Sequence, residues 1–91
     1  MTFYLPDITK IGSKSVEDDC SMSYLETIID EIEKDENLDN KVDVEIYDKV
    51  IRISQYKYIP VYMEFNKIRL VDDILTVSND NFMLSFTLYY E

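Results

Sequence analysis

Ninety-one residues with 46% hydrophobic side chains carry enough apolar surface for one small core, which excludes a disordered acidic tail. The formal charge is −10, histidine is absent, and Cys20 is the only cysteine. An intrachain disulfide, histidine-based acid–base or zinc chemistry, and simple electrostatic attraction to nucleic acid are thereby excluded.

The charge is unevenly placed. From Glu17 to Asp48, thirteen carboxylates stand against two lysines, Lys34 and Lys41, a local −11. From Lys49 to Val71 the sign reverses, with Lys49, Arg52, Lys57, Lys67 and Arg69 against Glu64. Such crowding costs self-repulsion, and it also creates a field that steers a cationic partner.

In chain order, Thr2 to Leu5 is a β-prone run that Pro6 stops. Asp7 to Lys14, with the flexible Gly12-Ser13 pair, reads as a connection. Ser23-Tyr24-Leu25-Glu26 then has the form of a capping box. Tyr24, Leu25, Ile28, Ile29 and Ile32 follow at the spacing of an apolar helical stripe. The spacing predicts a helix over Tyr24 to Asn37, and Val16 and Cys20 allow an extra turn or a separate short helix from Ser15. Asp35 and Glu36 fall at its end, where acids oppose the helix dipole.

From Val42 the period becomes two. Val42, Val44 and Ile46 alternate with Asp43, Glu45 and Tyr47, as in a half-buried strand. Asp48-Lys49 turns the chain into Val50 to Ser54. Ile59, Val61, Met63 and Phe65 make the next inward row, with Pro60 marking an edge or a strand start. Asn66-Lys67 turns into Ile68 to Val71, and Asp72-Asp73 breaks or bulges the chain before Ile74 to Ser78. Asn79-Asp80-Asn81 leads into a last strand carrying Phe82, Leu84, Phe86 and Leu88. Turns this short favour an antiparallel meander over parallel crossovers. The expected fold is α+β, a single domain over residues 1–91. One acidic helix packs on a curved antiparallel meander sheet of four to six strands.

Glu26, Asp30 and Glu33 share the outer helix face, with rises of about 6 Å and then about 4.5 Å between them. Like charges at these spacings weaken a helix, so helix formation does not account for them. Asp43 and Glu45 extend the acidic row onto a strand, and Asp35, Glu36 and Asp39 form its rim. Duplex DNA carries a charge about every 1.7 Å of axis, so carboxylates on a rigid frame imitate a phosphate track and compete for an Arg/Lys groove. The plainer reading of the same run is a solvated face. Eight tyrosines are the second feature. Tyrosine suits both half-buried strand positions and protein interfaces. A base-stacking platform around Arg52 and Lys57 conflicts with the overall charge.

No catalytic motif accompanies these features. Carboxylates at 17, 18 and 19 discourage a Cys20 thiolate, and Asp72-Asp73 lacks calcium-loop spacing. A single glycine leaves no phosphate loop, and Glu64 and Lys67 miss the one-residue spacing of a nuclease Glu/Lys pair. The chain reads as a non-enzyme with no cofactor and no metal. No apolar run approaches the roughly 18 residues of a membrane span, and the first residues lack a signal-peptide layout. A soluble cytoplasmic protein with no membrane partner is expected. The basic interval either relieves repulsion beside the acidic elements or makes the molecule electrically polar, and unprotected sheet edges admit a homodimer.

In size, acidity and Ile/Asn/Asp/Lys/Tyr usage the chain resembles the small anti-defence proteins of phages and archaeal viruses, anti-CRISPR proteins and other DNA mimics among them. The acidic helix Tyr24 to Asn37, the acidic strand Val42 to Tyr47 and the Tyr-rich sheet carry that likeness, which is one of character and rests on no shared motif. It implies stoichiometric inhibition in the host cytoplasm of a basic nucleic-acid-binding protein, with no direct contact to nucleic acid. Glu26, Asp30, Glu33, Asp43 and Glu45 would occupy the partner's groove, with exposed tyrosines as anchors. Two other classes fit the same sequence: an immunity or antitoxin protein for a basic nuclease toxin, and a structural or adaptor subunit that self-associates through its sheet.

Overall fold

Residues 1–37 and 39–90 are described by the computed structural model. The strands are β1 (Thr2–Tyr4), β2 (Asp7–Lys10), β3 (Lys41–Tyr47), β4 (Val50–Gln55), β5 (Tyr58–Glu64), β6 (Lys67–Val71), β7 (Ile74–Ser78) and β8 (Phe82–Thr87). Between β2 and β3 lie a 3-10 turn, Val16–Asp18, and the helix α1, Cys20–Lys34. The arrangement is α+β with one helix, as the periodicities require. Its strands divide into two antiparallel four-stranded sheets, ordered β1-β3-β4-β5 and β2-β8-β7-β6. The one expected meander is therefore two, β3-β4-β5 and β6-β7-β8.

Two strands change sheets. Tyr4 pairs with Lys41 and the Leu5 amide donates to the Asn40 carbonyl at 3.1 Å, whereas Asp7 already pairs with Ser85. Pro6 sits buried at the switch, where having no N–H leaves no donor unmatched between the sheets. Asp7 to Lys10 is thus a strand, not a connection, because its partner β8 lies at the far end of the chain. The second corner is Phe65-Asn66. The Phe65 amide bonds Lys49 in the first sheet and the Asn66 amide bonds Ser78 in the second, both at 2.9 Å. Asn66-Lys67 is accordingly a corner and not a hairpin turn. Asp72 and Asp73, at φ 53° and 66°, make the two-residue left-handed turn that joins Val71 to Ile74.

The helix starts one turn before the expected capping box. Asp19, not Ser23, is the N-cap, and its Oδ1 accepts from the Met22 amide at 3.0 Å. Asp35 ends the helix one turn earlier than expected. Met22, Leu25, Ile28 and Ile32 are buried. Tyr24, read as part of that stripe, stands at its margin and is 37% exposed. Its hydroxyl accepts from the Ile59 amide at 3.2 Å, on the free edge of β5. The first turn of α1 adjoins Tyr62 to Glu64, and the last adjoins Tyr4 and Leu5. The helix therefore spans one opening between the sheets, from corner to corner. Ile59, expected inward, is 75% exposed beside a register shift between Ile53 and Gln55.

Gly12 is a point of close approach. It and Ile11 both donate to the Asn81 carbonyl, at 3.1 and 2.8 Å, and a Cβ on Gly12 would come within 2.7 Å of the Asn81 Oδ1. Ile11, Gly12 and Lys14 thus tie the N-terminal arm to the β7–β8 turn.

Asp19→Ala is expected to lower stability by about 1 kcal/mol, against less than ~0.5 kcal/mol for Ser23→Ala. Leu25→Ala, deleting a side chain only 1% exposed, should cost about 3 kcal/mol. Urea midpoints on the three variants check both statements, and equal losses at positions 19 and 23 would refute the assigned cap.

Candidate partner-binding surface

Burial of Met22, Leu25, Ile28 and Ile32 turns Glu26, Asp30 and Glu33 outward, and all three are exposed. Among the described residues none of them enters an ion pair or a side-chain hydrogen bond. Their carboxylates form a row about 10 Å long on a frame fixed from beneath by the core. Glu31, on the flank of this face, accepts from the Tyr58 hydroxyl at 2.8 Å, and that bond raises the Tyr58 phenol above its usual pKa. It fastens the helix to β5.

The row continues past the helix. Glu33, Asp35 and Glu36 line one depression with Tyr4, Leu5, Ile32 and Asn40, about 640 Å³ in volume. Asp35 Oδ1 accepts from the Asn37 amide at 3.0 Å. Glu36 is exposed. These acids stand at the negative end of the helix dipole, where only Lys34 offsets them within the last turn.

The strand carboxylates are placed differently. Asp39 pairs with Lys41 at 3.1 Å, and the Lys41 ammonium also lies 4.5 Å above the Tyr89 ring. The Asp39 hydrogen bond raises the Lys41 pKa. Asp43 accepts from the Thr2 hydroxyl at 3.0 Å. Glu45 pairs with Arg52 at 3.3 Å and accepts from the Tyr47 hydroxyl, while Arg52 Nε donates to the Tyr62 hydroxyl at 3.2 Å. Asp43 and Glu45 sit opposite Ser54 and Arg52 on the outer face of the first sheet. Of the eight acids singled out in the sequence, five thus lie on α1 or just beyond it. Asp43 and Glu45 belong to a sheet face and Asp39 stands just before it, and neighbouring cations and hydroxyls engage all three. For Asp43 and Glu45 cross-strand register decides this, and it was not readable before the strand order was known; Asp39 meets Lys41 two residues along the chain.

Other features emerge only in three dimensions. Six of the eight tyrosines are exposed, Tyr56 most of all at 78%. Ile46, Ile68 and Leu70 stand at inward parity, yet they are exposed at a second opening between the sheets. Alternation marked Ile46 as inward, and nothing in the sequence showed that the cover would be missing. Among the described residues no group of three or more acids or thiols is placed to hold a metal ion, and no helix is long and apolar enough to cross a membrane. Comparisons with protein-family models, curated proteins and solved structures each return no match.

The Tyr58–Glu31 bond predicts a pH signature. A phenol whose folded pKa is raised stabilises the fold fully below its ordinary value near 10 and loses that contribution as pH rises through the raised value. Wild type should therefore melt above Tyr58→Phe at neutral pH, and the two should converge at strongly alkaline pH. Melting curves across pH test it, and a constant gap at all pH values would be the contrary result.

Proposed function

We propose that this chain is a stoichiometric inhibitor of the anti-CRISPR or DNA-mimic kind, of phage or viral type. In this reading it seats its acidic helix in the basic nucleic-acid groove of a defence nuclease or CRISPR effector in the host cytoplasm. The supporting observation is the contrast between two sets of carboxylates. Those on the outer sheet face are engaged within the chain, whereas Glu26, Asp30 and Glu33 have no partner of their own among the described residues. Three uncompensated charges on a rigid helix cost repulsion, and a cationic groove is what makes that cost useful.

In such a complex Glu26, Asp30 and Glu33 meet the groove floor, while Asp35 and Glu36 meet its rim. Asp39, Asp43 and Glu45 contribute field more than contact, since their neighbours already hold them. Tyr4, exposed in the depression it shares with Glu33, Asp35 and Glu36, supplies apolar contact area. The chain itself makes no chemistry and no direct contact with nucleic acid.

The test is capture of partners on immobilised protein from host lysate, followed by elution with salt and with excess DNA or RNA. A basic nucleic-acid-binding protein released by both is the expected outcome. The variant carrying Glu26→Gln, Asp30→Asn and Glu33→Gln should keep the fold but associate at least ~10-fold more slowly at low salt, with the difference shrinking as salt rises. Unchanged association by this variant would sink the proposal. Capture of a toxin nuclease encoded beside this gene would move the same surface to the immunity class.

A further inference from the structure

The strand β6 is an unused edge. It pairs with β7 alone, and all five of its residues are exposed. Ile68 and Leu70 stand directly opposite Val77 and Leu75, which are buried, so they point toward the interior. They nevertheless remain 40% and 52% exposed, because no element covers them. Ile46 of β3, opposite buried Ile51 of β4, is uncovered in the same way. Together with Met1 they border a largely apolar opening of about 230 Å³ that no helix residue lines and that Arg69 also adjoins. On the other face of β6, Lys67 and Arg69 stand opposite Ser78 and Thr76 and enter no ion pair among the described residues.

An exposed edge with apolar pockets on one side is the geometry of strand addition, in which main-chain bonds hold a segment and alternate side chains select it. Charge decides which segment. A second copy laid antiparallel along the whole of β6 would set its Arg69 opposite this Arg69, and like charges directly opposite are unfavourable. Lysine and arginine on an edge guard against self-pairing in just this way. The same cations favour a strand with carboxylates at the facing positions. The fold already contains that pairing. In β3, Val42, Val44 and Ile46 alternate with Asp43 and Glu45, and Glu45 meets Arg52 of β4 at 3.3 Å.

We propose that the free edge of β6 binds an extended segment of a partner protein in which acidic and aliphatic residues alternate. The aliphatic side chains enter the opening bordered by Ile46, Ile68 and Leu70, and the acidic ones meet Lys67 and Arg69. This surface is separate from the acidic helix and does not depend on the inhibitor reading.

A fluorescent peptide copying Lys41–Tyr47 of this chain serves as the probe, titrated into the full-length protein. Saturable binding is expected, with amide resonances of Lys67–Val71 shifting. Lys67→Glu with Arg69→Glu should weaken it at least tenfold, and a peptide with lysine in place of both acids should regain binding to that variant. Should the double variant fail to fold, the lysine peptide against wild type makes the same comparison and should bind at least tenfold more weakly than the acidic one. A peptide N-methylated on its pairing edge should not bind. The variant neutralised at Glu26, Asp30 and Glu33 should bind the acidic peptide as well as wild type does, which separates failure here from failure of the proposed inhibition. No saturable binding, indifference to charge reversal, shifts confined to other strands, or a dimer that Leu70→Lys dissociates would each overturn the proposal.

Discussion

Leu5 gives its amide to the first sheet and Asp7 is already paired in the second, with a proline between them that has no amide to place. Phe65 and Asn66 divide their amides between the sheets in the same way. These two corners constrain everything else. Each lets one strand serve both sheets, so the inward rows of β3, β4 and β5 and those of β7 and β8 meet in a single core. The sheets also meet where Phe3 bridges Leu88 and the Tyr89 amide donates to the Thr2 carbonyl at 3.0 Å, and openings remain between these junctions. One is spanned by α1, whose Met22, Leu25, Ile28 and Ile32 complete the core. The other has no cover.

The helix is held by that geometry more than by its own sequence. A fifteen-residue helix is marginal alone, and acids at i, i+4 and i, i+3 weaken it further. Burial of four apolar side chains, the Asp19 cap and the two tyrosine tethers to β5 offset this. A surface so supported can carry charges that would fray a free helix. The sheet face treats its acids in the opposite manner, setting Glu45 against Arg52 and Asp39 against Lys41. Exposed pairs of this kind add little stability, but they cancel the local field. Glu26, Asp30 and Glu33 on α1 have no such pair among the described residues.

Periodicity made much of this legible. The alternation from Val42, the turn at Asn79 to Asn81 and the stripe Leu25, Ile28, Ile32 became β3, the β7–β8 turn and the buried helix face. Pro60 does lie on an edge strand. Failures clustered where a partner was distant or an alternative was local. Asp7 to Lys10 carries no pattern of its own and becomes a strand only because β8 arrives beside it. The choice between Asp19 and Ser23 as cap depended on how far the core stripe reached, and Met22 extended it by a turn. Asn66-Lys67 has turn chemistry, but the residues that follow pair with β7 and not with β5. The acidic helix face was legible because it needs only the helical period. The engagement of Asp43 by Thr2 and of Glu45 by Arg52 was not, because it needs the strand order.

The treatment of the sheet edges links these observations. On β5 the free edge is occupied from within: the Ile59 amide goes to Tyr24, Tyr58 reaches Glu31, and Pro60 has no donor to offer. Edge β6 receives none of this. It has no proline, no covering helix and no bulge, only two cations alternating with apolar residues. A chain with a net charge of −10 that needed merely to avoid aggregation has repulsion enough without them. Lys67 and Arg69 lower that repulsion at one edge: they still oppose pairing with a second copy, and they leave the edge attractive to an acidic strand.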